Sequence, residues 1–167
     1  MSSNVPSSSG TPGVGADRPE IVEDLNRLMA EEAEACLRYF QMRFRLPDKD
    51  YAVAERFFED AIKETMDHAN SIAQQIRSLG HIPVLRVNLA LGGGPMALEA
   101  ALTEALDVEQ QALEAYKEFL PRVAGDPVLE AFIRQQVEVE TEHVQEIRDF
   151  VQGKGKVKLV PSTKPER

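Results

Sequence analysis

The sequence predicts an all-α protein in which four long helices form a bundle of two antiparallel hairpins joined by a long crossover. Three observations lead there. Ala, Leu, Glu and Gln are abundant, aromatic residues make up only 6% of 167 residues and Trp is absent, a palette that favours helix over sheet. Four stretches carry apolar side chains at alternating steps of three and four, the spacing of a buried helical seam. The connections between them run short, long, short, so the chain makes two hairpins, and the middle connection can travel the length of a bundle.

Residues 1–19 are rich in Ser, Gly and Pro and are expected to be a flexible tail, since they have little apolar surface to offset their ordering entropy. The first helix is expected from Pro19 to Leu46, with Asp17 as its cap and Pro47 as its stop. The second runs from Asp50 to Leu79 and stops at Gly80. The crossover HIPVLRVNLALGGGP follows, and it contains His81 as an ordinary loop residue. The third helix starts at Pro95 and continues to Leu120; the fourth follows Gly125-Asp126-Pro127, a cap with a first-turn proline, and ends before Gly153. Bundle boundaries of 20–152 leave 153–167 as a basic, flexible second tail with a short extended segment at Val157–Val160.

Composition narrows the function. The formal net charge of −9 argues against nucleic acid as the main partner, because phosphate binding needs a basic patch. Cys36 is the single cysteine, which excludes an intrachain disulfide and a thiolate cluster and reads as a small packed residue on a helix face. No run approaches the roughly 18 apolar residues of a membrane span, and the N-terminus lacks a secretory apolar core, so no membrane partner is expected and a cytoplasmic location is the default.

The chemistry lies where polar residues interrupt the seams. Helix one reads Ile21, Leu25, Leu28, Glu32, Ala35, Tyr39, Met42, Leu46; helix three reads Leu98, Leu102, Ala105, Glu109, Ala112, Tyr116, Phe119, Val123. One carboxylate breaks each seam, and each is followed seven residues later by a tyrosine. Helix four reads Leu129, Ile133, Gln136, Glu140, His143, Ile147, Phe150; helix two reads Ala54, Phe58, Ala61, Thr65, His68, Ile72, Gln75, Leu79. A buried unpaired carboxylate costs several kcal/mol. Several of them at one depth, together with two imidazoles, are tolerable if positive charge lies between them. Hard carboxylates with imidazole suit iron, manganese or zinc. A metal-free polar network is the alternative.

These residues resemble the ferritin-like superfamily and, among its branches, look most like bacterioferritin. The family pattern is a Glu from each of two helices and Glu-x-x-His from each of the other two. The resemblance covers about residues 20–151 and implies a ferritin-like four-helix bundle. It implies terminal ligands at Glu32 (in EEAEACLRYF) and Glu109 (in DVEQQALEAY), a bridging Glu140 with His143 (in ETEH), and His68. Helix two departs from the pattern, because ETMDH places Thr65 where the second bridging Glu belongs. Glu64, about 100° around the helix, can supply it by swinging in or through a π-bulge; otherwise one ligand is missing. Met66 matches the family's haem-ligating Met at a subunit two-fold, yet interface packing explains it equally, and haem is not expected. The family's short fifth helix is replaced by GKGKVKLVPSTKPER, which favours a homodimer over a larger cage.

The resemblance implies an iron protein with ferroxidase activity, serving storage or detoxification. Glu32 and His68 would hold one ion and Glu109 and His143 the other. Glu140 would bridge them, and Tyr39 and Tyr116 would orient the carboxylates. The alternative is a non-enzymatic bundle with a degenerate metal site, acting as a metal-binding or interaction module. Further alternatives are manganese or zinc in place of iron, or a single ion in place of the pair.

Overall fold

The structure is a computed structural model that describes residues 18–152, in which four α-helices and one short 3-10 turn, Leu120–Val123, form the architecture. The helices are α1 (Pro19–Arg45), α2 (Asp48–Ser78), α3 (Leu98–Phe119) and α4 (Pro127–Val151). The expected tails fall outside the described residues except for Arg18 and Pro19, as do Asp17 and Val157–Val160. Arg18, not Asp17, directly precedes α1, and its carbonyl accepts from the amides of Ile21 and Val22 without a side-chain cap.

The other boundaries show what each terminus uses. Pro47 is extended, and its carbonyl accepts from Asp50 and Tyr51 at 2.8 Å, so α2 begins two residues earlier than expected. At the other end of α2, Gly80 takes a φ of +84° that costs a glycine little. The amides of Gly80 and His81 then close back on Arg77 and Ile76, a Schellman stop. Helix α3 starts at Leu98, not Pro95, because the Met96 amide is committed to the Arg45 carbonyl at 2.8 Å, which keeps the chain extended to Ala97. It also ends in the 3-10 turn, one residue short of Leu120. Asp126 caps α4 as expected, accepting from Val128 and Leu129 at 3.2 and 3.1 Å, an interaction worth about 1 kcal/mol.

The crossover lies along α1 as a strap. Val84 N–H donates to Asn26 Oδ1 at 2.8 Å, Asn88 N–H to Glu34 Oε1 at 2.9 Å, and Arg86 reaches Glu23 at 2.9 Å. Further along, Gln41 and Arg45 donate to the carbonyls of Gly92 and Gly94. These anchors run from one end of α1 to the other, and the strap therefore returns the chain to the start of α3 beside the end of α1. Helices α1 and α4 consequently run one way and α2 and α3 the other.

The core has two apolar clusters. One gathers Leu25, Leu28, Ile72, Ile76, Phe119 and Ile133; the other gathers Tyr39, Met42, Phe58, Ala105 and Ile147. Every predicted seam residue of α1 is buried. On α2 the seam differs from expectation: Ile76 is fully buried and Gln75 only half-buried, because the buried stripe drifts through Ala69, Ile72 and Ile76. Glu32, Glu109 and Glu140, each buried, lie along their helices between residues of the two clusters, so a polar layer crosses the bundle.

Candidate metal centre

Each helix contributes to this layer because its seam continues through it. Glu32 sits one turn from Leu28, and Glu140 follows Ile133 by two turns, so the packing that buries the neighbours also buries the carboxylates. The groups form two clusters. Glu32, His68 and Glu140 offer donor atoms within 4.8 Å of one another, and so do Glu109, Glu140 and His143. Glu140, 1% exposed, belongs to both.

His68 Nδ1 lies 3.0 Å from Glu140 Oε1 and 3.5 Å from Glu32 Oε1. His143 Nδ1 lies 3.4 Å from Glu109 Oε2 and 3.6 Å from Glu140 Oε2. The two rings are nearly parallel, 12° apart with centroids at 5.9 Å. The carboxylates are steadied from behind and across the bundle. Tyr116 on α3 donates to Glu32 Oε1 on α1 at 2.5 Å, and Tyr39 on α1 donates to Glu109 Oε1 on α3. Each tyrosine therefore serves the carboxylate of the other half, a crossing that the matched spacing on α1 and α3 does not itself disclose.

Charge in this layer is redistributed toward the imidazoles. Burial opposes a charged imidazolium, but Glu140 and Glu32 overcome it and raise His68 to about 10. Glu109 and Glu140 likewise overcome burial and raise His143 to about 11. Glu140 is lowered to about 2, since its contacts with His143 and His68 outweigh burial, whereas burial raises Glu109 to about 7 and also raises Glu32. Protonated imidazoles thus supply the positive charge that makes this many buried carboxylates tolerable. They do so imperfectly: His68 Nδ1 and Glu140 Oε2 are buried without a well-formed hydrogen bond among the described residues. Two carboxylates, an imidazole and an under-satisfied polar atom in each cluster form a donor set that fits a hard or borderline divalent cation.

Helix α2 settles into neither predicted rescue. It is regular α-helix through 64–68, without a π-bulge. The Thr65 hydroxyl donates back to the carbonyls of Ala61 and Ile62 at 2.9 and 3.2 Å, away from bridging duty. Glu64 is 51% exposed and stands at the rim, its Oε2 3.5 Å from His143 Nε2. Met66 is an exposed residue of α2, 51% accessible. Gln136, one turn from Glu140, is buried with its Oε1 unpartnered among the described residues. It was visible in the sequence only as one more polar seam position.

A family model described as "Ferritin-like domain" matches residues 22–154. The chain is 26% identical over 129 residues to "Bacterioferritin" of Desulfovibrio desulfuricans, an alignment covering 76% of this chain and 72% of that protein. A shorter alignment, 29% identical over 65 residues, covers 39% of this chain and 37% of the "Nutrient stress-induced DNA-binding protein" of Synechococcus. In fold it is similar to a structure described as ferritin-like, diiron-carboxylate proteins from Bacillus anthracis. The TM-score is 0.71 at 22% identity, covering 80% of this chain and 96% of the other.

Proposed function

The chain belongs to the ferritin-like family, and from that premise we propose that it binds two iron ions in the polar layer and oxidises ferrous iron. The observation that carries this reading is the sharing of Glu140 between two donor clusters, Glu32–His68–Glu140 and Glu109–Glu140–His143. Iron here is substrate. Each ferrous ion gives up one electron, and the two electrons pass to dioxygen or peroxide, which leaves as peroxide or water with protons from solvent. Glu32 and His68 hold one ion, Glu109 and His143 the other, and Glu140 bridges. Tyr116 and Tyr39 keep Glu32 and Glu109 turned toward the ions. The diiron and bacterioferritin relatives favour iron over manganese or zinc. Glu64 is proposed as a mobile ligand that turns in from the rim when the second ion is bound, taking the part that Thr65 cannot. The physiological role is iron detoxification or storage in the cytoplasm.

The test is aerobic oxidation of added ferrous iron, followed optically, by the native chain and by a Glu140→Ala, His143→Ala variant. The native chain should be at least about 100-fold faster, since loss of even an outer partner of a metal ligand costs 10–100-fold. Equal rates would leave the alternative of a metal-binding or interaction module, which the self-bonded Thr65 hydroxyl favours.

A homodimer accompanies this proposal. Leu37, Phe40 and Phe44 form an exposed apolar row on α1, with Phe40 51% and Phe44 58% accessible, and Met66 and Val53 are exposed on α2. A second copy covering this face gives Met66 a packing role without haem. Phe40→Ser with Phe44→Ser should halve the native mass measured by light scattering; an unchanged mass would place the contact elsewhere. No described helix is long and apolar enough to cross a membrane.

A further inference from the structure

We propose that Gln136 is a further oxygen donor for the ion held by Glu32 and His68, acting directly or through one bridging water, an inference that rests on the metal-binding reading above. Gln136 is 6% exposed, and its Oε1 is buried without a hydrogen-bond partner among the described residues. An amide oxygen taken out of water and left unpaired is a net cost to the fold. Leu129 and Ile133, which precede it on the same seam, are buried without such a cost. A cation, or a water bound to it, offsets the cost by engaging the lone pairs of the amide oxygen.

Its place along α4 selects the ion. Gln136 stands one turn before Glu140 on the same helix face, and His143 stands one turn after it. Gln136 is thus on the side of Ile133 and His143 on the side of Ile147, and these two isoleucines belong to different apolar clusters. His68 adjoins Ala69 of the Ile133 cluster, so Gln136 lies on the Glu32–His68 side of the shared carboxylate. Four residues of helix rise about 6 Å, a span that a Gln side chain and one water cover. The two halves of the bundle differ at this point. His68 and His143 are 75 residues apart, and the same offset pairs Glu140 with Thr65 and Gln136 with Ala61. Neither α2 residue offers the layer a side-chain oxygen, because the Thr65 hydroxyl is spent on the carbonyls of Ala61 and Ile62 and Ala61 has none. The Glu109–His143 position has instead the exposed Glu64, with Oε2 3.5 Å from His143 Nε2. The two ion positions therefore differ chemically, one completed by a neutral buried oxygen and the other by a carboxylate at the rim.

The experiment is equilibrium titration of the full chain with Co²⁺, read by its visible absorbance, beside urea unfolding of the metal-free protein. In Gln136→Leu, one of the two equivalents should weaken at least about tenfold while the other keeps its native affinity. With His143→Ala added, the single remaining equivalent should be the weakened one. The urea midpoint of metal-free Gln136→Leu should equal or exceed the native value, since the unpaired oxygen is gone. Two equivalents of native affinity, or equal weakening of both, would overturn the proposal. If the urea midpoint of Gln136→Leu falls, Gln136→Glu decides, because it keeps an oxygen at this place. It should bind both equivalents at least as tightly as the native chain, and a weakened equivalent in it as well would overturn the proposal. A native chain that binds fewer than two Co²⁺ would instead refute the metal-pair reading beneath it.

Discussion

Glu140→Ala should abolish both ion positions, whereas His143→Ala should abolish one. The asymmetry follows from geometry. Glu140 Oε1 approaches His68 at 3.0 Å and Glu140 Oε2 approaches His143 at 3.6 Å, so one carboxylate serves both donor clusters. His143 belongs only to the cluster containing Glu109. Titration with Co²⁺ should therefore end near two equivalents per chain for the native protein, near one for His143→Ala and near none for Glu140→Ala. The metal-free Glu140→Ala protein should also be less stable, because its two imidazoliums lose a shared buried partner. Breaking a buried pair costs about 3–5 kcal/mol, and a urea midpoint will show it. Two tight equivalents in Glu140→Ala would refute the bridging role.

The second large effect is on pH. A metal ligand must be a neutral imidazole, yet His68 and His143 are raised to about 10 and 11 in the metal-free protein. Each ion therefore displaces a proton, and its apparent affinity should rise about tenfold per pH unit between pH 7 and 10. Below pH 7 the second ion also competes with the proton on Glu109, raised to about 7, so its affinity falls more steeply there. Calorimetry in buffers of differing ionisation enthalpy should give about two protons released per two ions at pH 8. No release would mean that the imidazoles are not ligands. The stability of the metal-free fold responds to pH from both sides. The raised histidines contribute stability that is complete below their unfolded value of about 6.5 and lost as pH rises through 10 and 11. Glu140, lowered to about 2, contributes stability above its unfolded value and loses it as pH falls toward 2. The metal-free protein should thus melt highest in the intervening range.

The bundle was legible because its seams were nearly unbroken. Ile21 to Leu46 is buried at all eight predicted positions, and the strap length announced the crossover. The polar layer was legible for the same reason, since Glu32 and Glu109 each interrupt an otherwise apolar seam and Glu140 stands beside His143 on the seam of α4. Part of what escaped depended on contacts between distant stretches of the chain, and part on the geometry of α2 itself. The start of α3 at Leu98 is decided by a hydrogen bond from Met96 to Arg45, fifty-one residues earlier in the chain. Asn26 gave no sign that it would be buried to receive the strap at Val84. The drift of the α2 stripe from Gln75 to Ile76 reflects the gradual slip of a 3.6-residue helix against a seven-residue repeat. The sequence marked Thr65 as a departure, but only the folded helix shows its hydroxyl turned onto Ala61 and Ile62.

At the centre of the proposed function is a layer that holds two ferrous ions around Glu140. Anaerobic titration of the native chain with ferrous iron, followed by optical and Mössbauer spectroscopy, tests this most directly. Saturation at two irons per chain with the spectrum of a coupled pair is the expected result. Saturation at one iron, or no saturable binding, would contradict it.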